Sequence, residues 1–265
     1  MVTGIEALAR TFATCRAEQR AALVTYLPAG FPDQQGAERA CASLARHGAD
    51  VVEVGVPYTD PLMDGPVIQE AAQEALAAGF RFSHLFGCVE AVADAGAVPV
   101  VMGYWNPILR YGVDRFAGDL AAAGGAGVIT PDLIPDEAGG WIEAAAVHQL
   151  APIFLIAPSS TDQRLRQTTD ACRGFVYAAS TMGVTGARSS VGSGAQQLVS
   201  RARQATDLPV CVGLGVSTGA QAAQVAGFAD GVIVGSALVA ALGTDPQLGA
   251  LERLTAELAE GVRQG

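Results

Sequence analysis

From end to end, the chain alternates between short apolar runs and longer segments whose apolar residues recur every three or four positions. The runs occupy residues 21–28 (AALVTYLP), 51–56 (VVEVGV), 98–104 (VPVVMGY), 127–132 (GVITPD), 151–158 (APIFLIAP), 174–180 (GFVYAAS), 209–215 (PVCVGLG) and 231–237 (GVIVGSA). Several are apolar at consecutive positions, the pattern of parallel strands covered on both faces. Between them lie helix-period stretches such as QGAERACASLARHG, VDRFAGDLAAAG, TDQRLRQTTDAC and LGALERLTAELAEGVR, with polar residues or proline marking their starts. Strand then helix, repeated eight times behind a leading helix at 5–16, is the order of a (β/α)8 TIM barrel. An open doubly wound sheet would carry its glycine fingerprint after the first strand, whereas here the glycine-rich turns follow the last two. No linker, charge block or low-complexity tract interrupts the sequence. Residues 1–265 are therefore expected to form a single α/β domain, a TIM barrel with an extra N-terminal helix.

Composition narrows the chemistry. Asp and Glu number 26 against 16 cations, a net charge of -10, which favours neither nucleic acid nor an anionic membrane surface. All 16 cations are arginine. Without a lysine the side chains cannot form an imine with a carbonyl substrate or anchor pyridoxal phosphate. Cys15, Cys41, Cys88, Cys172 and Cys211 lie far apart and read as reduced packing residues of a cytosolic protein. The three histidines lack ligand spacing, so no metal site is expected. The N-terminus lacks the layout of a signal peptide, and no uninterrupted apolar stretch suits a membrane span.

In a barrel the strand C-terminal ends and the loops after them carry the site. Glu53 interrupts an otherwise apolar strand in VVEVGVPYTDPLMDGPVIQ (51–69). A carboxylate there either rises in pKa and works as an acid or base, or is satisfied by dipoles in the barrel core. Asp64 lies in the following D-G-P loop, where capping a helix that starts at Pro66 competes with a role in the site. Gly213–Gly215 and Gly235–Ala237 offer unobstructed backbone N–H groups after the seventh and eighth runs. A helix from Ser236 would aim its dipole into the same space. These turns read as a phosphate cradle or as tight strand-to-helix turns. The Gly/Ser/Thr stretch 180–194 could close over a ligand or be an ordinary surface loop. Tyr104, Trp105 and Tyr177 stand at strand ends, where an aromatic substrate or barrel packing would use them.

These stretches resemble the family of tryptophan synthase α subunits. The likeness rests first on EVGVPYTDPLMDGPVIQ (53–69). It continues through GYWNPILRYGVDRF (103–116), ITPDLIPDEA (129–138), FLIAPSSTDQRL (154–165), FVYAASTMGVTGAR (175–188), VCVGLGVST (210–218) and DGVIVGSALV (230–239). The resemblance implies retro-aldol cleavage of indole-3-glycerol phosphate to indole and glyceraldehyde 3-phosphate. By its motifs, Glu53 is the general acid/base and Asp64 the carboxylate that receives the indole N–H. Phosphate contacts come from Gly186, Gly215, Gly235 and Ser236. Tyr26, Met102, Tyr104, Ile129, Tyr177, Thr185 and Leu214 line the indole pocket.

The resemblance further implies no cofactor on this chain and a pyridoxal-phosphate β subunit as partner, in an α2β2 assembly. The partner would be met through 59–63, Asn106, Pro107 and 131–135. Phe31, Gly103, Ile134 and Thr181 depart from the commoner family pattern. Two other readings share the fold: a free-standing lyase that releases indole without a partner, and a catalytically idle subunit that activates a β chain.

Overall fold

The structure, a computed structural model, describes residues 2–179, 193–213 and 215–265. Among them, nine strands and twelve α-helices follow the expected order. Helix α1 (Gly4–Ala17) opens on Thr3, whose hydroxyl accepts the Glu6 N–H while Glu6 returns to the Thr3 N–H. Strand β1 (Ala22–Pro28) leads to α2 (Gln34–Arg46), and β2 (Val51–Gly55) to α3 (Pro66–Ala77) and α4 (Phe82–Asp94). Next come β3 (Val98–Met102), α5 (Trp105–Tyr111), α6 (Val113–Ala122) and β4 (Gly127–Ile129). A 3-10 turn at Pro135–Glu137 and α7 (Gly139–Val147) precede β5 (Ala151–Ile153), β6 (Leu155–Ile156) and α8 (Asp162–Ala171). The chain ends with β7 (Val176–Ala179), α9 (Ser193–Ala202), β8 (Val210–Gly213), α10 (Gly219–Ala226), β9 (Gly231–Val234), α11 (Ser236–Thr244) and α12 (Gly249–Gly261).

Every strand pair is parallel, in the order β5-β4-β3-β2-β1-β9-β8-β7-β6. The two ends of that order, β5 and β6, are halves of one strand on either side of Phe154. The ring closes through this residue, whose carbonyl accepts the Tyr177 N–H at 3.3 Å. Eight barrel strands result, as the sequence pattern requires.

Side-chain alternation divides the core in two. Val24, Val51, Val100, Ile129, Ile153, Tyr177, Cys211 and Ile233 fill the barrel interior, while Leu23, Leu27, Val52, Val54, Val101, Val212 and Val232 pack under the helices. Leu8, Phe12 and Cys15 of α1 join the interior set and plug its N-terminal end. Leu8 lies where a side chain at Gly174 would touch it, and the Phe12 ring meets Phe175 at 5.7 Å. Arg20 clamps the same end with two bonds to Asp50, at 2.7 and 2.9 Å, and Asp50 also accepts the Leu23 N–H. The five cysteines are buried and free.

With its bottom closed by α1, the barrel can open only at the C-terminal ends of its strands. Leu8→Ala should therefore cost about 2–5 kcal/mol, the range for a fully buried leucine. Urea denaturation checks this; a loss below about 1 kcal/mol would mean that α1 is not the plug.

Candidate active site

Glu53 lies mid-strand in β2, on the face that alternation turns inward, with Tyr26 of β1 and Val100 of β3 as register partners. It is 1% exposed, and its Oε1 has no hydrogen-bond partner among the described residues. Burial pushes its carboxyl from an ordinary 4.5 up to about 8. Among the described residues no dipole satisfies Oε1, which goes against the reading in which the barrel core satisfies this carboxylate. A buried carboxyl whose pKa is raised toward neutrality keeps its proton at ordinary pH.

The carboxylate of Asp64 does not cap the following helix. Gly65 is the N-cap of α3, without a side-chain cap bond, and Pro66 supplies a first turn that needs no donor. The Asp64 side chain turns instead to Tyr104, whose hydroxyl donates to Oδ1 at 3.1 Å. Burial lifts the Asp64 carboxyl above its usual range, and this bond opposes the shift. Tyr104 is buried at the end of β3, and its oxygen also accepts the Leu62 and Met63 N–H groups, at 3.1 and 2.9 Å.

Two further tyrosines join the carboxylates. Burial raises the pKa of both Tyr26 and Tyr177, and the charges of Asp64 and Glu53 act on each. Their rings fit only because β2 and β8 end in glycine. A Cβ at Gly55 would lie 2.3 Å from Tyr26 Oη, and one at Gly213 would lie 2.7 Å from Tyr177 Oη. Sequence reading passed over Gly55 and took Gly213 only as part of a turn, although an isolated glycine in a strand marks the close approach of another group. Met102 is half-buried above the interior, whereas Ile129 is fully buried in the interior packing.

On the far side of Tyr26, Gly235 is the N-cap of α11 and Ser236 its first residue, as the sequence suggests. The Tyr26 ring lies 3.4 Å from where a Cβ at Gly235 would stand. Gly215 has φ +69°, a left-handed turn that suits glycine. Gly215, Gly235 and Ser236 are half-buried and border the same end of the barrel. Thr185, Gly186 and Leu214 lie outside the described residues, as do Thr181 and 180–192 as a whole.

Two of the departures from the family pattern have visible packing. A side chain at Gly103 would meet Val56 at 2.9 Å, and Phe31 is buried within reach of Gly243 in α11. Ile134 is exposed at the start of the 3-10 turn.

The model of the tryptophan synthase alpha chain family matches residues 12–263. The chain belongs to this family. It is 61% identical over 256 residues to the tryptophan synthase alpha chain of Nocardia farcinica, covering 97% of this chain and 96% of that one. The alpha chain of Mycobacterium avium is likewise 61% identical over 253 residues, covering 96% of this chain and 93% of its own. Among solved structures, tryptophan synthase from Mycobacterium tuberculosis superposes with a TM-score of 0.93 at 58% identity, covering 97% of this chain and 98% of that one. The alpha subunit from Legionella pneumophila keeps the fold at 31% identity, with a TM-score of 0.87 and coverage of 97% and 98%. The family match thus spans nearly the whole barrel.

The buried carboxyl has a measurable signature. Between pH 4.5 and about 8 the unfolded chain ionises Glu53 while the folded chain keeps it protonated, so the unfolded state binds fewer protons and stability falls as pH rises. Glu53→Gln does not titrate. Relative to that variant, the wild type should lose about 3 kcal/mol between pH 4.5 and 7, measured by denaturant titration at several pH values. Parallel pH profiles for the two proteins would show that Glu53 is ionised in the fold.

Proposed function

We propose a division of labour by which this chain, a lyase of the tryptophan synthase alpha family, cleaves indole-3-glycerol phosphate to indole and glyceraldehyde 3-phosphate. The carrying observation is Glu53: inside the barrel, unbonded at Oε1, and protonated up to about pH 8. Its proton goes to indole C3, leaving the ring nitrogen electron-poor. The resulting carboxylate takes the proton of the adjacent glycerol hydroxyl. As that O–H pair becomes the aldehyde C=O, the pair of the C3–glycerol bond returns to the ring and restores neutral indole. One carboxyl thus donates and then accepts, which needs a pKa near the working pH. Asp64 accepts the ring N–H, a contact that strengthens as positive charge builds on nitrogen. The ring lies between Tyr26 and Tyr177, and the phosphate takes the N-terminus of α11 with the Gly215 and Gly235 turns. No imine and no cofactor on this chain enters the scheme, because indole itself is the electron sink. The barrel acts as one domain.

A partner surface follows from the loops after β2, β3 and β4, which are neighbours in the sheet. Leu62 is 70% exposed, Leu109 55% and Ile134 45%. The Asp132 carboxylate receives the Trp105 N–H at 2.9 and 3.2 Å, and the Asn106 amide donates to Tyr58 Oη at 3.0 Å, so the three loops are cross-linked. A β subunit carrying pyridoxal phosphate docks here, in an α2β2 complex, and takes up the indole released. These exposed apolar side chains favour the partnered reading over a free-standing lyase. The poised carboxyl disfavours an idle subunit. No helix among the described residues is long and apolar enough to cross a membrane.

Glu53→Gln should lower indole release from indole-3-glycerol phosphate by about 10²–10⁴-fold. In the wild type, kcat/KM should fall as pH rises through about 8, as Glu53 loses its proton. Undiminished cleavage by the variant would remove Glu53 from the chemistry. Asp64→Asn should impair turnover with little change in melting temperature, since its side chain caps no helix. Both assays run with and without a purified β subunit; gel filtration of the mixture reads the complex.

A further inference from the structure

Sequence reading puts Tyr104 in the wall of the indole pocket, yet in the fold its hydroxyl is fully committed elsewhere. A phenol oxygen offers two lone pairs and one proton. Both acceptor positions are filled, by the N–H groups of Leu62 and Met63, and the proton is directed at Asp64 Oδ1. Because the oxygen has no acceptor capacity left, it can only donate to Asp64. A fixed donor favours the ionised carboxylate and holds Oδ1. Among the described residues only Oδ1 is engaged, which leaves Oδ2 for a ligand N–H. The ring bearing the hydroxyl is buttressed in turn. Tyr58 packs against it with centroids 5.4 Å apart, and Tyr58 Oη is held by Asn106.

We infer that Tyr104 is a positioning residue for Asp64, holding it ionised and turned so that its second oxygen meets the ring N–H of the substrate. This rests on the role proposed above for Asp64. The titratable groups near that carboxylate are Tyr104 itself, Tyr26, Tyr177 and Glu53; no cation acts on it among the described residues. Against burial, the Tyr104 hydroxyl is the one contact among the described residues that favours its charged form.

Tyr104→Phe keeps the ring and removes the bond. In the full chain, kcat/KM for indole release should drop about tenfold, the scale of one hydrogen bond to a charged group. The acid limb of the pH profile should move to higher pH, while the alkaline limb near 8 set by Glu53 stays in place. Loosening of the 59–64 loop alone would slow the enzyme without moving the acid limb. In an Asp64→Asn background the same substitution should cost nothing further, because its effect runs through Asp64. A stationary acid limb, or losses that multiply in the double variant, would overturn the assignment of Tyr104 alone. A wild-type chain that releases no indole would overturn the lyase reading as well.

Discussion

A carboxylic acid held neutral inside an apolar barrel is the constraint around which the molecule is organised. Ionising Glu53 in that interior would strand a charge where nothing among the described residues bonds Oε1. The barrel therefore keeps the proton on and pushes the pKa to about 8. This state persists only if water stays out. The plug of Leu8 and Phe12 closes the bottom, and the tyrosine rings seated over Gly55 and Gly213 narrow the top. Packing and the proposed reactivity are thus one property: the burial that destabilises the charged carboxylate is what would let it give up a proton to carbon.

The two ends of the barrel use charge in opposite ways. At the N-terminal end Arg20 and Asp50 satisfy each other, and Asp50 also takes a backbone N–H, so charge there is neutralised locally and supports the fold. At the C-terminal end no cation among the described residues pairs with the carboxylates. Among the described residues burial is what shifts Glu53, and a tyrosine hydroxyl opposes the shift at Asp64. Positive potential is left to the dipole at the start of α11, where an anionic phosphate would sit. That separation suits a substrate with an anionic tail and a ring that turns cationic in the transition state.

The loops that complete the site also face outward. Tyr104 holds the 59–64 segment from beneath, while Tyr58, Asn106 and Asp132 tie it to the loops after β3 and β4. The exposed Leu62, Leu109 and Ile134 lie on this tied surface. Any partner covering them presses on the segment that carries Asp64, so docking and catalysis share one set of hydrogen bonds.

Periodicity in the sequence was enough to establish the barrel, its leading helix and the eight strand positions. Parallel strands covered on both faces must be continuously apolar, and the helices between them must be amphipathic. Glu53 was legible as a charged residue in the middle of such a run, and Gly235–Ser236 as a turn opening a helix. The fate of Asp64 was not legible, since a helix cap and an active-site carboxylate look alike in D-G-P; a backbone that makes Gly65 the N-cap settled it. Nor could spacing show that Tyr104 spends its hydroxyl on a loop, or that Gly55 and Gly213 clear room for two phenol rings. Local order determined which elements form, because propensity and pattern act over a few residues. Where the polar atoms point, and which of them go without partners, depended on strands brought together across the ring, and those distances exist only once the barrel has closed.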